Sequence, residues 1–127
     1  GRKKDIIITA GGKNIAPKNI EAALMEHEAI SQAVVIGDRR KFLSALVAIN
    51  PERAAEANGD LSSFNDSIQS HIDAINARFA RVEHVRKFTI LPRELDQENA
   101  ELTPTMKIKR RIVNDNWTDA IDAMYAD

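Results

Sequence analysis

Residues 1–21 read GRKKDIIITAGGKNIAPKNIE, and this stretch decides how the rest of the chain divides. Asp5 to Thr9 is rich in isoleucine and threonine, β-branched side chains that favour extended backbone. Gly11-Gly12 then supplies a turn, and Lys13 to Ala16 returns as the second arm of a small hairpin. Pro17 suits the first position of a helix, where its missing N–H leaves no hydrogen bond unmade. Behind it Ile20, Ala23, Leu24 and His27 fall on one helical face.

Working outward, Ala33 to Ile36 and Leu43 to Ile49 form a pair of apolar strands joined by the charged turn Gly37-Asp38-Arg39-Arg40. Pro51 to Gly59 forms a short helix that stops at Asn58-Gly59. Phe64, Ile68, Ile72, Ile75, Phe79 and Val82 step by three or four, which predicts one long amphipathic helix capped by Ser62 or Ser63. Lys87 to Leu91 is a further strand, stopped by Pro92. After a polar loop through Gln97, Glu98 and Asn99, the spacing of Ile108, Ile112, Asn116, Ala120, Ile121 and Met124 predicts a final helix. The expected fold class is α+β in a single domain over residues 1–127: an N-terminal β-hairpin, then a small mixed sheet with helices packed on it.

The 18 Lys and Arg residues balance 19 Asp and Glu, for a formal net charge of −1. That argues against a dedicated nucleic-acid binder, whose affinity comes largely from neutralising phosphates. The absence of cysteine removes disulfides, thiol nucleophiles and Cys-based zinc sites together. No apolar run is long enough to span a membrane. The charged opening leads straight into a strand, as expected of a segment cut from a longer protein.

His27, His71 and His84 lie on or beside helices without metal-ligand spacing, and Glu26 and Glu28 beside His27 do not share its helical face. No nucleophile elbow and no GxxxxGK phosphate loop is present. The one unusual feature is LTPTMKIKRR, residues 102–111, where a Thr-Pro-Thr turn precedes Lys107, Lys109, Arg110 and Arg111. Cations at a helix N-terminus oppose its dipole, so stability alone would not choose this placement. Composition leaves two readings open, a solvated helix start or an anion contact.

Taken together, the stretches 1–21 and 102–111 resemble the carboxy-terminal domain of the adenylate-forming enzymes: acyl- and aryl-CoA synthetases, peptide-synthetase adenylation domains and firefly luciferases. The first stretch is similar to a long signature that opens GRxKD and closes IxPxxIE. The second resembles the GKxxR close of another signature, with Met106 where glycine is commoner. Between them AVVIGDRRKFLSALVAINPE, residues 33–52, resembles the family's usual strand pair. Within the family, the LTPTMKIKRR form is similar to long-chain fatty acyl-CoA synthetases.

The resemblance implies a lid domain that partners a large amino-terminal domain of the same protein, in an ATP-dependent fatty acid–CoA ligase using ATP, Mg²⁺ and CoA. It implies a cytoplasmic protein, with peripheral membrane association left open. Lys107 matches the lysine that reaches the carboxylate and the α-phosphate during adenylation, and Lys4 matches the hinge. Arg2 matches a nucleotide-contacting arginine, Gly11 a glycine lining the pantetheine tunnel, and Lys13 a cation toward CoA. Asp5 is expected to pair or cap near the hinge, while Lys109, Arg110 and Arg111 have no assigned role. The resemblance expects no complete active site in this domain alone, and none of its residues is matched to a metal ligand. Two rivals stand beside this reading: a non-catalytic interaction module that keeps the fold, and the lid of an enzyme that loads a carrier protein.

Overall fold

The computed structural model describes residues 5–126. The hairpin of the sequence reading is present but short, with β1 (Ile7–Ile8) antiparallel to β2 (Asn14–Ile15) and Ile7 opposite Ile15. Gly12 turns the chain between them at φ 85°, in the left-handed region that glycine enters without penalty. Helix α1 (Pro17–Leu24) begins on its proline. A three-stranded sheet follows in the order β3 (Ile30–Ile36), β4 (Leu43–Ile49), β5 (Val85–Ile90). β3 and β4 are antiparallel and β4 and β5 parallel, so the sheet is mixed and the fold is α+β as expected.

Strand β4 is central and buried along its whole length, which explains its unbroken run LSALVAI. Alternation of side chains divides the core into two layers. Ala33, Val35, Leu43, Ala45 and Val47 pack with Ile20 and Leu24 of α1 and with Ile68, Ile72 and Ile75. On the other side Val34, Ile36 and Leu46 meet Leu91, Leu95, Leu102, Val113, Ile121 and Met124. Ser44 is the polar residue inside β4, and its hydroxyl donates to the Tyr125 hydroxyl at 3.0 Å. The Tyr125 hydroxyl in turn donates to the Phe42 carbonyl at 2.7 Å, so the buried polar atoms are satisfied.

Helix α1 ends at Leu24, before His27, and β3 begins at Ile30, ahead of the expected Ala33; two longer helices depart further from the sequence reading. The long helix expected to run past Phe64 to Val82 is a 3₁₀ turn over Leu61–Phe64, helix α3 (Asn65–Asn76), and a second 3₁₀ turn over Arg81–Glu83. Asn76 ends it: its side-chain carbonyl accepts from Val85 N at 2.9 Å and its amide donates to Val85 O at 3.0 Å. That double bond ties the helix end to the start of β5, which therefore begins at Val85, two residues earlier than expected. Nor do Ser62 and Ser63 cap α3; both hydroxyls donate to Asp60. Helix α2 (Pro51–Glu56) is capped by Asn50, whose side chain accepts from Glu52 N at 2.9 Å. It stops at Asn58 and Gly59, both at positive φ, as the sequence signalled.

The carboxy-terminal helix is likewise two pieces, α4 (Arg110–Asn116) and α5 (Thr118–Tyr125), broken at Trp117 with φ −114° and ψ 26°. The indole and the side chain of Asn116 are both engaged by Glu101, and helical periodicity carries no sign of that. Among the described residues no helix is long and apolar enough to cross a membrane.

Candidate functional site

Lys107 sits in a closed turn. Leu102 and Ile108 pair across it as an antiparallel bridge. Thr103 N donates to Lys107 O at 2.8 Å, and Lys107 N donates to the Thr103 hydroxyl at 3.0 Å. Pro104 and Thr105 form the tip, and Met106 N bonds back to Thr103 O at 2.8 Å. Met106 has φ 66°, a left-handed conformation that costs a residue with a Cβ about 1–2 kcal/mol. This is the physical reason that glycine suits the position. Lys107 itself is exposed, and among the described residues it joins no ion pair.

Beneath the turn lies a carboxylate that sequence reasoning missed. Glu101 is completely buried. Its oxygens accept from Arg93 at 2.7 and 3.0 Å, from Asp96 N at 3.2 Å, from Asn116 at 3.1 Å and from the Trp117 indole at 2.9 Å. Arg93 also lies over the Trp117 ring, 4.9 Å from its centre. Burial pushes the Glu101 carboxyl up, but the bonds from Arg93, Asn116 and Asp96 N outweigh it and hold the group below its ordinary value. The segment bearing Arg93 is itself pinned to β3, where Gln32 accepts from Leu95 N at 2.6 Å and donates to Leu95 O at 3.1 Å.

The cations after Lys107 separate into different roles. Arg110 is half-buried and forks onto Glu21 at 2.6 and 2.8 Å, with a further bond to Asp5 at 3.4 Å. Glu21, nearly buried, also accepts from Val35 N at 2.8 Å. Burial works against the charge on Arg110, and the bonds to Glu21 outweigh it, so its proton is held more tightly than usual. Lys109 and Arg111 remain exposed. The last residues of the two signatures, Glu21 and Arg110, thus meet, and Asp5 pairs as expected.

Gly11 and Lys13 share a depression of about 430 Å³ with Lys41, Arg81 and Arg86, floored by Thr9, Phe42, Leu43, Val82 and His84. Lys107 is not among its lining residues. A Cβ on Gly11 would meet nothing within 4 Å among the described residues, so packing inside the domain does not demand glycine there. Arg81 and Arg86 come from chain far from Gly11, and only the parallel β4–β5 pairing brings them beside it. The expectations for Arg2 and Lys4 lie outside the described residues.

The histidines are structural, as their spacing suggested. His27 Nδ1 accepts from Ala29 N at 3.0 Å, which leaves Nε2 as the donor to the Ser67 hydroxyl at 3.1 Å. His71 donates to Ala23 O at 2.9 Å and His84 to Phe79 O at 3.1 Å. Burial first, then His71 and Arg53, lower the pKa of His27 against the opposing Glu28. A lowered histidine favours the neutral form in the fold. Its contribution is therefore intact above about 6.5, the unfolded value, and is lost as pH falls through the folded one. We expect the melting temperature to decline between pH 7 and pH 5, and His27→Gln to flatten that part of the profile; an unchanged slope in the variant would remove His27 from the account.

A family profile described as the AMP-binding enzyme C-terminal domain matches residues 4–127. The chain belongs to that family. This AMP-binding C-terminal domain is 44% identical over 140 residues to the long-chain-fatty-acid–CoA ligase FadD15 of Mycobacterium tuberculosis, covering 98% of this chain and 23% of that protein. It is 36% identical over 156 residues to the long-chain-fatty-acid–CoA ligase ACSBG1 of Rattus norvegicus, covering 98% of this chain and 22% of that one. The chain therefore spans less than a quarter of these relatives' length. Among solved structures, the adenylation domain of a carboxylate reductase from Mycobacterium chelonae aligns with TM-score 0.82 at 24% identity, over 98% of this chain and 20% of that one, a likeness of fold. The A-PCP didomain of the carboxylic acid reductase of Segniliparus rugosus, in complex with AMP, aligns with TM-score 0.79 at 26% identity, over 98% and 18%.

Proposed function

We propose that this domain is the lid of an ATP-dependent long-chain fatty acid–CoA ligase, supplying the adenylation lysine and then rotating to complete the thioester-forming site. The observation that carries the reading is Lys107: an exposed, unpaired cation among the described residues, on a turn closed by two backbone bonds, a bond to the Thr103 hydroxyl and a bridge. Such a turn delivers charge to a neighbouring site. In the first half-reaction a carboxylate attacks the α-phosphate of ATP, giving acyl-adenylate and pyrophosphate. Lys107 would hold the developing negative charge without any proton transfer. Mg²⁺ would accompany the nucleotide; among the described residues no cluster of three or more His, Asp or Glu side chains stands ready to hold a metal ion.

In the second half-reaction the CoA thiol displaces AMP. The depression lined by Gly11, Lys13, Lys41, Arg81 and Arg86 fits an anionic, nucleotide-bearing thiol, with room at Gly11 for a chain that a side chain would obstruct. Presenting first one face and then the other requires the lid to turn about a hinge, for which Lys4 is our candidate, with Arg2 at the nucleotide. The names of the relatives at 44% and 36% identity support CoA as acceptor and a long-chain acid as substrate. A second reading, loading of a carrier protein, is supported by the 26% likeness to the A-PCP didomain. Turnover with free CoA against a phosphopantetheinylated carrier separates the two.

A lid without its partner domain should fold and yet catalyse nothing. The purified 127-residue chain is expected to unfold cooperatively on heating and to show no ATP–pyrophosphate exchange. Exchange above a contaminant control would refute the lid reading.

A further inference from the structure

The fully buried carboxylate of Glu101 is unexplained by the fold alone, because a buried ion is expensive and an apolar residue could have filled its layer. Its position relative to Lys107 supplies the reason. Glu101 O accepts from Lys109 N at 2.8 Å, Glu101 N donates to Asp96 O at 3.0 Å, and the next residue, Leu102, pairs with Ile108. One rung further on, Thr103 and Lys107 exchange bonds of 2.8 and 3.0 Å. Through its backbone, Glu101 therefore joins both strands of the turn at its base. It also fixes that base to Arg93 on one side and to Asn116 and Trp117, at the break between α4 and α5, on the other. We propose that Glu101 is the positioning residue for Lys107, setting the height and tilt of the turn so that a lysine on a flexible stem starts from one fixed backbone.

This inference rests on Lys107 being the adenylation lysine. A lysine side chain has four rotatable carbons, so its ammonium finds a phosphate oxygen reproducibly only where the backbone beneath it does not move. Trp117 and Arg93 serve the same end: the indole N–H occupies one carboxylate lone pair and the ring carries the guanidinium that occupies two more. The break of the carboxy-terminal helix at Trp117 follows from this engagement.

The test uses the full-length ligase and separates the half-reactions. Glu101→Gln keeps the size and loses the charge. It is expected to slow pyrophosphate exchange about ten- to a hundredfold, a misplacement of about 1 Å sufficing for the upper figure, and to leave thioester formation from supplied acyl-adenylate unchanged. In the Lys107→Ala background the same substitution should cost adenylation nothing further, because there is no ammonium left to misplace. Should Glu101→Gln fail to fold, Trp117→Phe, which deletes one bond to the same carboxylate, carries the same pair of comparisons. A loss that persists undiminished without Lys107, or that falls equally on both half-reactions, overturns the proposal and leaves Glu101 as a fold residue. No loss in Glu101→Gln, beside a large one in Lys107→Ala, also overturns it while sparing the lid reading. No loss in Lys107→Ala defeats the reading beneath both.

Discussion

If the proposed function holds, Lys107→Ala in the full-length protein is expected to slow acyl-adenylate formation by about a hundred- to a thousandfold, equivalent to roughly 2.7–4 kcal/mol for one positioned charge in a closed site. The ammonium joins no ion pair among the described residues, so removing it leaves no buried partner stranded and the fold should be untouched. Thioester formation from supplied acyl-adenylate should stay near wild type, since under the proposed rotation the lid is then turned to its other face. Pyrophosphate exchange reports the first step and CoA consumption with preformed acyl-adenylate the second. Equal falls in both would mean that Lys107 supports the structure and has no part in the chemistry.

Arg110→Ala should act on stability. The side chain is 20% exposed and its partner Glu21 only 5%, so truncation leaves a carboxylate buried with one remaining donor, Val35 N. Breaking a buried pair from one side costs about 3–5 kcal/mol. For a domain of this size that corresponds to a fall of roughly 10–20 °C in melting temperature. Arg110→Lys should recover only part, because a single ammonium cannot match two carboxylate oxygens as the guanidinium fork does. A loss below about 1 kcal/mol would assign the pair to the exposed class of ion pairs. Differential scanning calorimetry of the 127-residue chain reads the effect directly.

The contrast between these two cations, three residues apart in one basic run, measures how far the sequence could be read. Composition left Lys107, Lys109, Arg110 and Arg111 alike, and periodicity offered nothing to divide them. The division depends on what α1 presents to them. Glu21 lies 89 positions from Arg110 and reaches it only because α1 packs on β3 while α4 lies against the opposite layer. The cations of the depression show the same limit. Lys13 was legible beside Gly11, whereas Arg81 and Arg86 become its neighbours only through the pairing of β4 with β5.

Local physics was enough for the elements whose cause is local. Proline opened α1, Asn58-Gly59 closed α2, and a continuous apolar run marked the buried central strand. The hairpin, the mixed sheet and the turn before Lys107 were all legible because turn chemistry and side-chain alternation act over a few residues. The tertiary structure alone decided where helices break. Asn76 stops α3 by bonding Val85, and Trp117 divides α4 from α5 by bonding Glu101, both against an apolar stripe that continued undisturbed. Periodicity records which face a helix buries. It cannot record a polar side chain that satisfies the backbone of another element or a buried charge, and in this domain those bonds set the helix ends and the base of the lysine turn.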